Sequence, residues 1–233
     1  MKKGSLSFSF AAALLGKKSQ EAVHWLYSWC RYCDDAIDHV ADQQTASHTQ
    51  VLQTLRHETA RCFTEYNMTT PAFAGFSLLV KQYDIPEVYS RDLLAGMAMD
   101  CAGYTYRTTD DLILYSYRVA GTVGLMCCHV FGLRTEAALE QAAAMGIAMQ
   151  LTNIARDIVE DAENGRVYLP EEWCEEIGIT CAADVLRPEN RPALAALAKR
   201  LVGLAEEYYR KAEPGIYELP FRAALAVAAA RYI

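Results

Sequence analysis

From Glu136 to about Glu163 the chain carries no proline and a single glycine, and it is rich in the strong helix formers Ala, Met, Leu, Gln and Glu. That composition predicts one long central helix, and a chain containing it must wrap the rest of its fold around it. Within the helix, Gln150, Asn153, Asp157 and Asp161 are spaced three, four and four apart, so they share one face. Two carboxylates and two amides on one face of an otherwise apolar run need a reason. A hard divalent cation supplies one, because it takes oxygen ligands and leaves room for phosphate.

Long periodic segments with sparse punctuation predict helix almost throughout and no strand. The reading places helices over Ser19 to about Val40 with Ser19 as cap, Thr49–Tyr66 and Ala72–Tyr83. The next is opened by Pro86 and runs to about Cys101, and another reaches Val130 from a cap at Thr109 or Asp110. After the central helix, Asn164-Gly165 is the stop and Arg166–Pro170 is extended. A short helix over Glu171–Ile177 and a loop with a brief helical piece over Thr180–Asn190 follow. A helix over Arg191–Ala212, a break over Pro214–Pro220 and a last helix from Phe221 complete the chain. No repeat or linker interrupts this pattern. The expected fold class is therefore all-α: one helical domain over residues 1–233.

A second polar face lies near the start. Tyr27, Arg31, Asp34 and Asp38 are spaced four, three and four, and Asp34 to Asp38 is a D-x-x-x-D pair, as is Asp157 to Asp161. One such pair reads as a solvated stripe. Two of them, each in an aromatic or apolar helix with an Arg nearby (Arg31, Arg156), read as two halves of a metal clamp. Like carboxylates a turn apart repel unless a cation sits between them. Asp35 lies off the shared face. Cations held from both sides would bind a diphosphate, with Arg as further donor. They would stabilise its departure from an allylic carbon, leaving a carbocation that only a dry cavity preserves.

The remaining composition narrows the field. Hydrophobic residues make up 52%, enough for a substantial core, and 22 basic against 29 acidic residues give a net charge of −7. That balance argues against a nucleic-acid partner. No apolar run reaches membrane-spanning length. The basic Met1–Ser5 start and the apolar stretch to Leu15 lack the core and cleavage site of a signal peptide, so the start is read as part of the fold and the protein as cytoplasmic. Eight Cys without an export signal are expected to be reduced thiols, Cys30-x-x-Cys33 and Cys127-Cys128 included.

Taken together, Tyr27-Ser-Trp-Cys-Arg-Tyr-Cys-Asp-Asp-Ala-Ile-Asp38 and Gln150-Leu-Thr-Asn-Ile-Ala-Arg-Asp-Ile-Val-Glu-Asp161 resemble the two signatures of the squalene/phytoene synthase family. Ser5-Leu-Ser-Phe8, Tyr115-Ser-Tyr-Arg-Val-Ala-Gly-Thr-Val-Gly124 and Gly165-Arg-Val-Tyr-Leu-Pro170 agree with it. Asp92-Leu-Leu-Ala-Gly-Met-Ala-Met-Asp100 resembles the bacterial phytoene-forming branch.

The resemblance implies a terpenoid-synthase fold and Mg²⁺-dependent (or Mn²⁺-dependent) head-to-head joining of two prenyl diphosphates through a cyclopropyl intermediate. In the phytoene branch two geranylgeranyl diphosphates react and the last cation loses a proton, so no NADPH is expected. Carried over by position, Asp34, Asp38, Asn153, Asp157 and Asp161 would be metal ligands, and Arg31, Gln150 and Arg156 would contact diphosphate. Ser5, Ser7 and Tyr27 would line the same pocket, and Tyr115 would sit beside the reacting carbons. Arg166 and Tyr168 either close over the diphosphate or stop the helix. Gly121 and Gly124 either line the cavity or allow close helix packing.

Two alternatives stand beside this. One is a relative forming squalene, hydroxysqualene or dehydrosqualene from farnesyl diphosphate. The other is a non-catalytic relative serving assembly or interaction, which loss of the acidic pairs would mark. Oily substrates imply transient contact with a membrane surface, while oligomeric state is not encoded in any pattern seen here. Family members continue for several helices past the position of Ile233, so the resemblance implies a chain shortened at its C-terminus.

Overall fold

The computed structural model describes residues 13–38, 47–65 and 67–231. Helix α1 spans Lys17–Asp38 and buries Ala22, Val23, Leu26, Trp29, Cys33 and Ile37 along one stripe. Its anchor is Trp29, fully buried, stacked on Phe76 at 4.0 Å and donating its indole N–H to Thr59 at 3.2 Å. The Gly16 carbonyl already accepts from the Gln20 N–H, so Ser19 lies inside the first turn and is not the predicted cap.

Helix α2 spans His48–Thr64 behind a capping box of Ser47 and Gln50, and α3 spans Pro71–Tyr83 with proline in its first turn. Helix α4, Glu87–Cys101, starts directly after Pro86. These helices, with parts of two later ones, enclose a first core around Trp29, Phe73, Phe76, Leu93 and Leu94.

Thr108, with Asp111, caps helix α5 over Thr109–Ser116. The sequence predicts one uninterrupted helix here, capped a residue or two later. Instead a π-helical turn, Tyr117–Gly121, separates α5 from α6, Thr122–Val130. Helix α7, Glu136–Glu163, is capped by Thr135 and ends as predicted at Asn164-Gly165, with Gly165 at φ 75°. The α5–α6 segment lies against α7 backbone to backbone. A Cβ on Gly124 would fall 2.3 Å from the Ala142 carbonyl oxygen, and one on Gly146 2.3 Å from that of Ala120. Gly124 is thus a packing glycine.

Short helices α8, Glu171–Glu175, and α9, Ala182–Val185, lead through a 3-10 turn, Pro188–Asn190, to α10, Arg191–Glu218, and α11, Phe221–Arg231. The predicted break at Pro214 does not occur. Proline inside a helix costs about 3 kcal/mol, but α10 lies along α7, burying Leu194, Leu197, Leu201, Ala205, Tyr209 and Ala212. Gly215 meets Gln141 closely enough that an added Cβ would sit 2.9 Å from its Cβ. The packing holds the helix through the proline.

These helices form a second core around Leu112, Tyr115, Leu151, Trp173 and Leu201, to which Met99 at the end of α4 also belongs. Among the described residues there is no strand, and no helix is long and apolar enough to cross a membrane. No cysteine forms a disulfide, Cys30 and Cys33 included.

Candidate functional site

The two acid faces project from different cores. On α1, Tyr27, Arg31, Asp34 and Asp38 are half-buried while the stripe behind them is buried. On α7 the same holds for Gln150, Asn153, Asp157 and Asp161, backed by buried Leu151, Ile154 and Ala162. Each face therefore lines a boundary and neither points fully into solvent. Past α7 the left-handed turn at Gly165 redirects the chain, and Arg166 donates to Asp38 Oδ1 at 3.2 Å. That ion pair brings the C-terminal ends of α1 and α7 together.

The electrostatics at this meeting point are strained toward a cation. Neither α1 nor α7 has a basic residue in its last turn, yet both end in carboxylates, where the helix dipole is negative. Burial, and then repulsion from Asp157, push the Asp161 carboxyl up to about 6. Arginines answer the other charges. Arg31 is shared between Asp34 at 3.3 Å and Asp35 at 2.7 Å. Arg156 forms a fork onto its neighbour Asp157, at 2.7 and 2.6 Å. It is exposed, off the line of the α7 face.

Among the described residues no three acidic, His or Cys side chains form a ready-made cage. Mg²⁺ does not require one, since it keeps several waters and takes one or two carboxylates plus phosphate oxygens. Paired hard oxygen donors at two dipole-negative helix ends, one with a carboxyl raised by burial and then by its neighbour, fit such a cation.

Tyr115 and Tyr168 come together as stacked rings, centroids 5.0 Å apart. Both hydroxyls donate to Asp100 at the end of α4, Tyr115 to Oδ2 and Tyr168 to Oδ1, each at 2.9 Å. Tyr106 packs on both rings, with centroids 5.3 and 5.6 Å away. Its buried hydroxyl meets no protein partner, and Tyr106 is one of the residues lining a cavity of about 320 Å³, with Asp100, Arg166, Tyr168, Glu171 and Thr180. A second, apolar hollow of about 80 Å³ lies between α6, α7, α10 and α11.

Asp100 and Tyr106 escape the sequence reading as site residues. The signal for Asp100 is the same anomaly that marks α7: a carboxylate closing an apolar, Met-containing run. Ser5 and Ser7 lie outside the described residues.

The model of the squalene/phytoene synthase family matches residues 1–233. A 15-cis-phytoene synthase of Enterobacter agglomerans is 44% identical over an alignment of 241 residues, covering 100% of this chain and 80% of that protein. Its counterpart from Pantoea ananas is 43% identical over 236 residues, covering 99% of this chain and 76% of that protein. Among solved structures, a dehydrosqualene synthase in complex with ligand superposes with a TM-score of 0.86 at 29% identity, over 98% of this chain and 78% of that one. A squalene synthase from Alicyclobacillus acidocaldarius shares the fold, with a TM-score of 0.80 at 23% identity over 97% of this chain and 83% of that one.

Proposed function

Because this chain belongs to the squalene/phytoene synthase family, we propose that it joins two geranylgeranyl diphosphates head to head and converts the cyclopropyl intermediate to phytoene. It is a prenyltransferase of the phytoene synthase type, as its relatives at 40–44% identity are. The observation that carries the reading of the site is the Asp38–Arg166 ion pair, which brings the ends of two D-x-x-x-D faces from separate cores to one place.

In this reading Asp34 and Asp38 on one side, and Asn153, Asp157 and Asp161 on the other, would hold Mg²⁺, which when bound would supply positive charge to offset that of the diphosphate. Arg31, Arg156 and Arg166 leave their carboxylate partners for phosphate oxygens, where the guanidinium fork binds two at once. Gln150 and Tyr27 flank the same space from their two helices, and Ser5 and Ser7 belong to it by resemblance. The aromatic and apolar side chains of the two cores exclude water from the cation that remains. The reaction ends in proton loss and consumes no reductant. Oily substrate and product place it in transient contact with a membrane surface.

Product analysis tests this. The full chain with Mg²⁺ and geranylgeranyl diphosphate is expected to release diphosphate and form phytoene without NADPH. The dehydrosqualene synthase superposition favours one rival, a fifteen-carbon substrate. Consumption of farnesyl diphosphate alone would establish it. Asp157→Ala should cut turnover roughly 100-fold or more with the melting temperature nearly unchanged, and near-wild-type activity would sink the metal assignment.

A further inference from the structure

Helix α5 takes part of its N-terminal cap from far along the chain. Thr108 and Asp111 form its local box, in which Asp111 Oδ2 accepts from the backbone N–H of Arg107 and of Thr108, each at 3.0 Å. That leaves the Thr109 N–H, one of the donors that the first turn of a helix cannot satisfy internally. Glu172, at the start of α8, takes it. Its Oε1 accepts from the Thr109 N–H at 2.8 Å and from the Thr109 hydroxyl at 2.7 Å, across 63 residues. Both bonds hold the Glu172 carboxyl below its ordinary value, the hydroxyl's first. A carboxylate at a helix N-terminus also meets the positive end of the helix dipole.

The bond matters most for the segment that brings Glu172 there. Between α7 and α8 the chain runs without helix over residues 164–170. It leaves α7 at Gly165, where an added Cβ would meet nothing within 4 Å. Arg166 follows at once, with its side chain on Asp38. Further on, Leu169 is buried in the second core and Tyr168 bonds Asp100. Glu171 and Glu172 then donate their N–H groups to the Tyr106 and Arg107 carbonyls, at 2.7 and 3.3 Å.

Burial is non-directional, so it sets how deep this strap lies and not how it is aimed. Direction comes from hydrogen bonds. Six residues span at most about 20 Å, so a tie at Glu172 limits where Arg166 can reach. Pro170, and the restriction it places on Leu169, keep the piece between them stiff. At the other end Gly165 offers no steric resistance to swinging.

We infer that Glu172 is a positioning residue: by tying the strap after α7 to the start of α5, it holds the Arg166 guanidinium at the seam between α1 and α7. This rests on the prenyl-transfer reading above, in which Arg166 passes from Asp38 to phosphate oxygens. Glu172 itself is exposed, and it reaches the chemistry only through Arg166.

The test follows turnover of the full chain and its variants, with the melting temperature and the amide hydrogen exchange of peptides covering residues 165–172. Glu172→Ala should speed exchange in those peptides and lower kcat/KM roughly fivefold, the size expected for loss of one cap. Glu172→Gln keeps an acceptor oxygen in the same place and should recover most of that loss. In an Arg166→Ala background, Glu172→Ala should cost no further turnover, because both changes act through one guanidinium.

Unchanged exchange in Glu172→Ala would show that the strap is held without this tie. An undiminished loss of turnover in the Arg166→Ala background would show that Glu172 acts elsewhere. A lower melting temperature with turnover kept would make Glu172 a helix cap and nothing more. Failure of Glu172→Gln to recover any activity would make its charge, not its tie, the cause. Each of these overturns the inference. If farnesyl diphosphate is the substrate, the same comparison is run on it. If the wild-type chain turns over neither diphosphate, the prenyl-transfer reading fails. The tie is then judged by exchange alone, where equal rates in wild type and Glu172→Ala overturn it.

Discussion

Asp184 shows how one side chain organises a loop that has little regular structure of its own. Its Oδ2 accepts from the Thr180 N–H at 2.9 Å and from the Thr180 hydroxyl at 2.8 Å, while Arg187 approaches Oδ1 at 3.3 Å. These bonds favour the charged form, the Thr180 N–H most, and hold the carboxyl at about 2, below the ordinary 3.8. A carboxyl with a depressed folded-state pKa adds stability above its unfolded pKa and loses it as pH falls through the folded value. Asp184→Asn should therefore melt below the wild type at neutral pH. The gap should close as pH drops from about 4 toward about 2. A gap that stays constant over that window would show that charge plays no part.

The same scale sets the limit on reading the site from sequence. Partners within one helix turn, such as Arg31 with Asp34, follow from spacing alone. The phenols on Asp100 come from 15 and 68 residues away, and no periodicity encodes that meeting.

At the scale of elements, helix spans were legible because apolar periodicity, caps and terminating glycine act locally. The misreadings have tertiary causes. Pro214 is carried inside α10 by packing on α7, and the π turn at Tyr117–Gly121 lies where α5–α6 presses on α7.

Glycines separate the local from the tertiary contribution. In an exposed helix interior, Gly→Ala gains up to about 1 kcal/mol. Gly203 on α10 has nothing within 4 Å of an added Cβ, so Gly203→Ala should raise stability by that order. Gly124 has the Ala142 carbonyl oxygen at 2.3 Å, a backbone atom that cannot swing aside. There the same substitution should overpack the interface and cost about 1–3 kcal/mol or more. Chemical denaturation of both variants measures the difference. Equal shifts would mean that α6 and α7 are free to move apart.

Over the whole molecule, two apolar cores carry one acid face each, and the proposed chemistry falls on the seam between them. The sequence displayed both faces, because each is a one-helix pattern. It did not display which contact joins them, since Asp38 and Arg166 are 128 residues apart. Nor did it decide whether Arg166 serves the site or merely stops α7. Its contact with Asp38 and its place beside Asp100 in the cavity favour the site.

The two roles differ in what removal costs. A half-exposed ion pair contributes at most about 1 kcal/mol to stability, and Gly165, with φ 75°, already supplies the turn that ends α7. Arg166→Ala should therefore leave the melting temperature nearly unchanged while turnover falls roughly 100-fold, as expected when a donor to developing diphosphate charge is removed. Arg166→Lys, which keeps the charge without the fork, should recover only part of that loss. If both variants keep wild-type turnover, Arg166 is a structural brace between the two cores, and the seam must be closed for catalysis by other residues.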